Sequence, residues 1–387
     1  MAVYLDYHAT TPVDPRVLEV MIPFFTDQFG NPSSASHAWG WKAHAAVDDA
    51  RREVGRLIGA GAKDIVFTSG ATESNNFAIR GFADVAPADR RHLAVSAIEH
   101  KSVLEAARRL ERDGWALTVV PVRPDGLIDL DALERAVTTR TALVSVIAAN
   151  NEIGVIQPLD DIVRIAHAKG ALVHSDAAQA AGKIPLDVEA IGIDLASITA
   201  HKMYGPKGCG ALYIRKRTAL APLICGGGQE RGLRSGTLNV PGIVGFGKAS
   251  SLARAEMPAE SVRLAALRDR LLAGLRSSLD GVGVNGSLER RLPHNLHVSF
   301  DGVDGESLLI GISDIAVSTG SACSSASATP SHVLAAIAGS EAAVPPASIR
   351  FGLGRFTTDQ DISYAIDKFT AVVRHLRQTV LTPGPGH

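Results

Sequence analysis

The sequence predicts an α/β protein: a mostly parallel sheet covered on both faces, followed by a smaller domain. Three observations carry this. Short β-branched runs alternate with longer helical patterns. The runs are continuously apolar, as strands buried on both faces are. Glycine is frequent, at 37 of 387 residues, while aromatic residues reach only 5%, a mix that suits many tight strand-to-helix turns.

Taken in order, residues 64–68 read as a buried strand, followed by a glycine turn and a helix through Asn75, Asn76 and Phe77. A strand at 92–96 precedes a helix over 102–112. A third strand at 142–147 is too apolar to face water at an edge. The helix over 159–169 stops at Gly170, and strands follow at 171–175, 194–198 and 210–214. The pattern changes near residue 250. Leu264, Leu267, Leu271, Leu272 and Leu275 mark one stripe of an amphipathic helix, which opens a second domain from about residue 257. Shorter segments at 295–300, 307–311 and 315–318 belong to it. A Pro- and Gly-rich end predicts disorder from 377 to 387.

Composition narrows the function classes. Lys plus Arg number 39 against 40 Asp plus Glu, a net charge of -1, which excludes a strongly basic nucleic-acid binder but not a local anion site. Three cysteines imply no disulfide framework and fit a reducing compartment, and no Cys/His spacing suggests a zinc site, so no metal is expected. No apolar run reaches the roughly 18 residues of a membrane helix, and no secretory signal is visible at the start. The expectation is a cytoplasmic protein.

Three segments at strand ends carry chemistry. Residues 68–75, Thr-Ser-Gly-Ala-Thr-Glu-Ser-Asn, turn from a strand into a helix, where free N–H groups of Ala71 and Thr72 and the Thr72 hydroxyl form a phosphate cradle. Alone, this is equally an ordinary capped turn. Asp176 closes a buried strand where α/β sheets bind ligands, although an Asp there also caps helices. Lys202, in Thr199-Ala200-His201-Lys202, enters an apolar sheet end, where desolvation makes an amine fit for Schiff-base chemistry. Singly, its stem packing with the head in water explains it as well. Together the three are the set that pyridoxal 5'-phosphate requires: a lysine for the aldehyde, an acid that keeps the pyridine nitrogen protonated, and a phosphate cradle. His100 follows another strand and is placed to stack on the ring.

These residues lie within longer motifs. The stretch from Tyr4-Leu5-Asp6-Tyr7-His8-Ala9-Thr10-Thr11-Pro12, through Asn150-Asn151-Glu152-Ile153-Gly154, His201-Lys202-Met203-Tyr204-Gly205-Pro206 and Gly226-Gly227-Gly228-Gln229-Glu230-Arg231, to Ile349-Arg350-Phe351-Gly352-Leu353-Gly354-Arg355 resembles the NifS/IscS-type cysteine desulfurases. These form part of the class V branch of the fold-type I aminotransferases. The segment 318–327, Ser-Thr-Gly-Ser-Ala-Cys-Ser-Ser-Ala-Ser, is similar to the catalytic cysteine loop of the long-loop group. Only small residues surround Cys323, so no side chain anchors it in a core, and beside a pyridoxal site it reads as a nucleophile. Cys209 and Cys225 keep a structural reading.

The resemblance implies a large cofactor domain at 16–256 with a seven-stranded sheet and an N-terminal arm, 1–15, packing with the small domain. That small domain, 257–376, would be α+β and carry the cysteine loop. The resemblance also implies that Ala71, Thr72, His100, Asn151, Asp176, Gln179, Thr199, His201 and Lys202 surround the cofactor, with Gln179 on the phenolic oxygen. Thr237 matches a residue that reaches the cofactor phosphate of a neighbouring subunit, which implies a homodimer. Arg350 matches the residue that grips the substrate carboxylate, with Asn151 assisting; a guanidinium fork suits that task.

The implied activity is conversion of L-cysteine to L-alanine, with Lys202 as base, His100 as proton shuttle, and Cys323 taking the sulfur as a persulfide for an acceptor protein. Ala200 stands where many relatives have Gly, which puts a methyl near the lysine, and Gly352 where many have Ser. A carboxyl end shorter than that of the housekeeping members leaves the acceptor open among iron–sulfur scaffolds, tRNA thiolation and DNA sulfur modification. Selenocysteine lyase, class V aminotransferase and a docking scaffold for sulfur carriers are the competing readings; neither direct nucleic-acid binding nor membrane association is implied.

Overall fold

The computed structural model describes residues 2–319, 331–340, 344–345 and 347–381. The chain begins with β1 (Val3–Tyr4) and then builds the large sheet from β2 (Ile65–Thr68), β3 (His92–Ser96), β4 (Ala116–Val120), β5 (Thr141–Ser145), β6 (Leu172–Asp176), β7 (Leu195–Thr199) and β8 (Gly210–Ile214). Their order is β2-β8-β7-β6-β5-β3-β4. All pairs from β7 to β4 are parallel, whereas β8 runs antiparallel to both β7 and β2. The sheet is therefore mixed but mostly parallel, and the carboxyl ends of β2, β3, β5, β6 and β7 share one edge.

Strands β2, β5, β7 and β8 are buried at every position. This is the continuous apolar signature seen in the sequence, explained by cover on both faces. One core, with Val144, Ala196 and Ile198, lies on one face; the other, with Leu93, Val95 and Leu143, lies on the opposite face. Strand β4 escaped the sequence reading. It lies at one of the two sheet edges, and unlike β2 at the other it leaves Ala116 and Val119 exposed, so it lacks the double burial that marks the others.

The small domain holds the antiparallel strands β9 (Val282–Val284), β10 (Asn295–Phe300) and β12 (Ser348–Gly352), in the order β12-β10-β9. The N-terminal arm joins it, because β1 pairs in parallel with β11 (Ile315–Ala316), and Val3 and Leu5 enter the small-domain core. One helix, Val240–Ser278, runs through the expected boundary at 257, with Pro258 inside it. Its Ile243, Phe246 and Ala249 pack in the large domain, and its leucine stripe, Leu264 to Leu275, in the small one.

At the carboxyl end the helix Asp359–Leu381 continues past residue 377, where the sequence predicted disorder. Phe369 and Val373 anchor it in the small-domain core, and it runs on to two residues short of Pro383, whose ring disfavours helix in the residue before it. No helix among the described residues is long and apolar enough to cross a membrane.

Candidate active site

A cavity of about 630 Å³ opens at the carboxyl edge of the sheet. Ala71, Thr72, His100, Asn151, Asp176, Gln179, Thr199, His201, Lys202 and Arg350 all line it. These residues come from five strand ends and the small domain, so the fold gathers what the sequence scatters. Thr237 does not line this cavity; it is exposed. Cys323 lies outside the described residues.

The cradle is built by close backbone packing. A Cβ on Gly210, the first residue of β8, would sit 2.5 Å from Gly70 Cα, so only glycine lets the turn rest on the strand. Helical backbone then runs from Ala71 through Gly81. Glu73 accepts the Ser69 N–H at 2.9 Å and pairs with Arg234 at 2.8 Å, which offsets the charge of this carboxylate beside the cradle. The arginine holds the Glu73 carboxyl below its ordinary range, against the opposing effect of burial.

Asp176 is 3% exposed at the end of β6. Its Oδ1 accepts the Ala178 N–H at 3.0 Å and its Oδ2 accepts Asn75 Nδ2 at 2.7 Å. His100 caps the helix Lys101–Arg112, its Nδ1 accepting the Ser102 N–H. Lys202 sits in a short turn after β7, and its Nζ donates to the carbonyls of His8 and of Ala9, the latter at 2.7 Å. Two residues on, Tyr204 takes a positive φ of 66°. Its N–H donates to Thr11 Oγ1, and Lys183 and Arg355 flank its ring, so packing on three sides holds a strained backbone.

The His201 imidazole is pushed down to about 4, by burial first and then by the charges of Lys202 and Lys207, so it is neutral beside the lysine. The Ala200 methyl, in the same short turn as Lys202, is buried in the large-domain core against Gly205 and does not line the cavity.

The N-terminal arm supplies residues that strand-end motifs do not reveal. His8 is buried, and Asn295 Nδ2 donates to its Nε2 at 3.1 Å, so Nδ1 carries the proton to Gln179 Oε1 at 3.0 Å. Gln179 Nε2 returns a bond to the His8 carbonyl at 3.0 Å. Gly352 makes room for this arm; a Cβ there would sit 2.8 Å from His8 N and His8 Cδ2. Arg350, on β12, donates from Nη1 to the Asn151 carbonyl at 2.9 Å and from Nη2 to Asp6 at 2.8 Å. Its buried Nε has no partner among the described residues. Cys209 is buried, its thiol pushed up to about 12 by desolvation, which makes it inert; Cys225 is exposed.

Glu99, next to His100, is fully buried and pushed up to about 8, chiefly by desolvation, with Asp176 adding to the rise; its hydrogen bonds from Ser96 and the Ile147 N–H act in the opposite direction. The folded state thus holds a proton that the unfolded chain releases near its ordinary value of 4.5. Stability attributable to this group is greatest below that value and falls as pH rises towards 8, by at most about 1.4 kcal/mol per pH unit. Glu99→Gln removes the titration. Urea unfolding at pH 5, 6.5 and 8 should show a shallower loss of stability in the variant; a slope equal to wild type refutes the assignment.

Residues 3–364 match the family described as Aminotransferase class-V. The chain belongs to the class V aminotransferase family. It is similar to the cysteine desulfurase IscS of Anaeromyxobacter sp. (strain K), 56% identical over 378 residues, which cover 97% of this chain and 93% of the relative. Among solved structures, a NifS-like protein superposes with a TM-score of 0.91 at 41% identity, covering 97% of this chain and all of that one. SspA in complex with cysteine gives 0.81 at 38% identity, covering 92% of this chain and all of that one.

The cofactor of class V aminotransferases is pyridoxal phosphate. The donor chemistry fits it. An amine, a buried carboxylate held by two donors, and the backbone N–H groups of a helix start in a glycine-packed turn meet in one cavity.

Proposed function

We propose that this chain is a cysteine desulfurase acting in the cytoplasm, converting L-cysteine to L-alanine and passing the sulfur to an acceptor for iron–sulfur cluster assembly. The observation that carries this reading is the meeting of Lys202, Asp176, His100 and Arg350 in one cavity of about 630 Å³. The 56% identity to a cysteine desulfurase over 97% of the chain supports the same substrate.

Ala71 and Thr72 would hold the cofactor phosphate, Gln179 its phenolic oxygen, and Asp176 its ring nitrogen, with Thr199 and His201 beside them. When bound, pyridoxal phosphate supplies an aldehyde for amines and a cationic ring that draws electrons from the carbon next to them. Arg350 and Asn151 orient the cysteine carboxylate; Asp6 and the Asn151 carbonyl fix the guanidinium plane for that task. The Lys202 amine takes the Cα proton. Asp176 keeps a proton on the ring nitrogen. Cys323, as thiolate, attacks the cysteine sulfur while the C–S bond breaks, and His100 moves a proton at the departing fragment. L-cysteine and one thiol thus become L-alanine and one persulfide, so atoms balance without an outside oxidant.

A homodimer fits this reading. Thr237 is exposed and does not line the cavity of its own chain, and Phe25, Phe29, Trp39 and Trp41 are exposed.

The test is alanine release from L-cysteine in the presence of a reductant; keto acid and aminated cofactor in place of alanine would mark an aminotransferase instead. In the same assay Arg350→Ala should raise KM for cysteine about 10- to 100-fold, as the loss of a charged hydrogen-bond pair implies, and leave cofactor binding within about twofold. An unchanged KM removes Arg350 from the substrate.

A further inference from the structure

Beneath the cavity floor a chain of buried polar groups joins the two residues that sit at opposite ends of the proposed proton chemistry. Asn75 Nδ2 lies 2.7 Å from Asp176 Oδ2 and 2.8 Å from Ser102 Oγ, and Ser102 Oγ lies 2.7 Å from His100 Nδ1. Asn75 is fully buried and Ser102 nearly so.

The direction of every bond follows from one charge. A carboxylate only accepts, so the amide nitrogen, not the amide oxygen, must face Asp176. Turning the amide over would set two oxygens against each other at 2.7 Å. The orientation is kept even though it leaves Asn75 Oδ1 buried without a partner among the described residues. The same nitrogen faces Ser102, and an amide NH2 cannot accept. The Ser102 hydroxyl is thereby free to spend its single proton on His100 Nδ1. That nitrogen also accepts the Ser102 backbone N–H at 3.1 Å. With two donors on Nδ1, the neutral imidazole carries its proton on Nε2.

We infer that Asn75 and Ser102 are positioning residues: one amide fixes the plane of the Asp176 carboxylate and, through the Ser102 hydroxyl, holds His100 as the Nε2–H tautomer. His100 then presents a donor, not an acceptor, from the nitrogen remote from its cap. A donor is what a group must be to hand a proton to the departing fragment. The inference rests on the cysteine desulfurase reading for the identity of the reaction, but not for the bonding.

The test compares holoprotein of wild type, Ser102→Ala, Ser102→Thr and Asn75→Ala. Nitrogen-15 spectra of labelled histidine should show His100 as a single Nε2–H tautomer in wild type and in Ser102→Thr, and an added Nδ1–H fraction in Ser102→Ala, where only the longer backbone N–H bond of 3.1 Å still faces Nδ1. Ser102→Ala should lower kcat for alanine release about tenfold with KM and cofactor affinity within about twofold, and Ser102→Thr should restore it. Asn75→Ala should show the same mixture and, in addition, bind pyridoxal phosphate about tenfold more weakly, because Asp176 loses its orienting donor.

A Ser102→Ala protein with the wild-type histidine spectrum and kcat overturns the inference, as does Asn75→Ala binding the cofactor as tightly as wild type. Should Asn75→Ala not fold, the two Ser102 variants decide alone. If wild type releases no alanine from cysteine, the proposed reaction fails, while the spectra and the cofactor affinity still judge the positioning role.

Discussion

Lys202→Ala should yield a protein without the yellow colour of the lysine-bound cofactor and with alanine release reduced roughly 10³-fold or more. Two losses combine. The covalent tether goes, and so does the base that takes the Cα proton, a role worth about 10²- to 10⁴-fold on its own. The fold should tolerate the change. The lysine turn is held by bonds that do not involve the side chain: Thr11 N–H and its hydroxyl to the His201 carbonyl, and Gly205 N–H to the Ala200 carbonyl. Absorbance and circular dichroism on the same sample separate the outcomes. A yellow variant with wild-type turnover would mean that another amine does the work.

Cys323→Ser should behave in the opposite way. The protein stays yellow and binds cysteine, but alanine release falls roughly 100-fold or more, because a serine hydroxyl is neither ionised nor sulfur-seeking at neutral pH. Cys209 cannot substitute, since its thiol is buried and pushed up to about 12. A labelled-cysteine assay for protein-bound persulfide reads the step directly: label on wild type and none on the variant. Undiminished turnover in Cys323→Ser would remove the persulfide step.

Much of this architecture is written locally. Strands buried on both faces carry apolar residues on both faces, which is why β3, β5, β6, β7 and β8 were legible and the exposed edge β4 was not. The cradle, Asp176 and Lys202 were legible for a related reason. Each directly follows or ends such a strand, so finding the strand finds the residue. Asn75 and Ser102 are different. They are short polar side chains on ordinary helices, and Asn75 bonds Asp176 and Ser102 across 101 and 27 positions. Nothing in their immediate neighbours records that a carboxylate waits on the other side. The one local clue is that Asn75, next to Ser74, turns to the apolar side of its helix, a place where a polar residue needs a partner. His8 was hidden in the same way, being tied to Gln179 and Asn295 across 171 and 287 positions.

The 39-residue helix Val240–Ser278 acts as a girder common to both halves of the molecule. A cut near residue 257 would break that girder, leaving Phe246 and Ala249 with the large-domain core and Leu264, Leu267 and Leu271 with the small-domain core, and would part that second core from Val3 and Leu5 of the arm. The carboxyl-terminal half is therefore not a self-sufficient module. The arm that supplies the clasp for Lys202 and the strand that bears Arg350 are bound to each other, Tyr7 N–H to the Gly352 carbonyl and Gly352 N–H to the Leu5 carbonyl, so loss of the arm would take these bonds from the strand that carries the guanidinium.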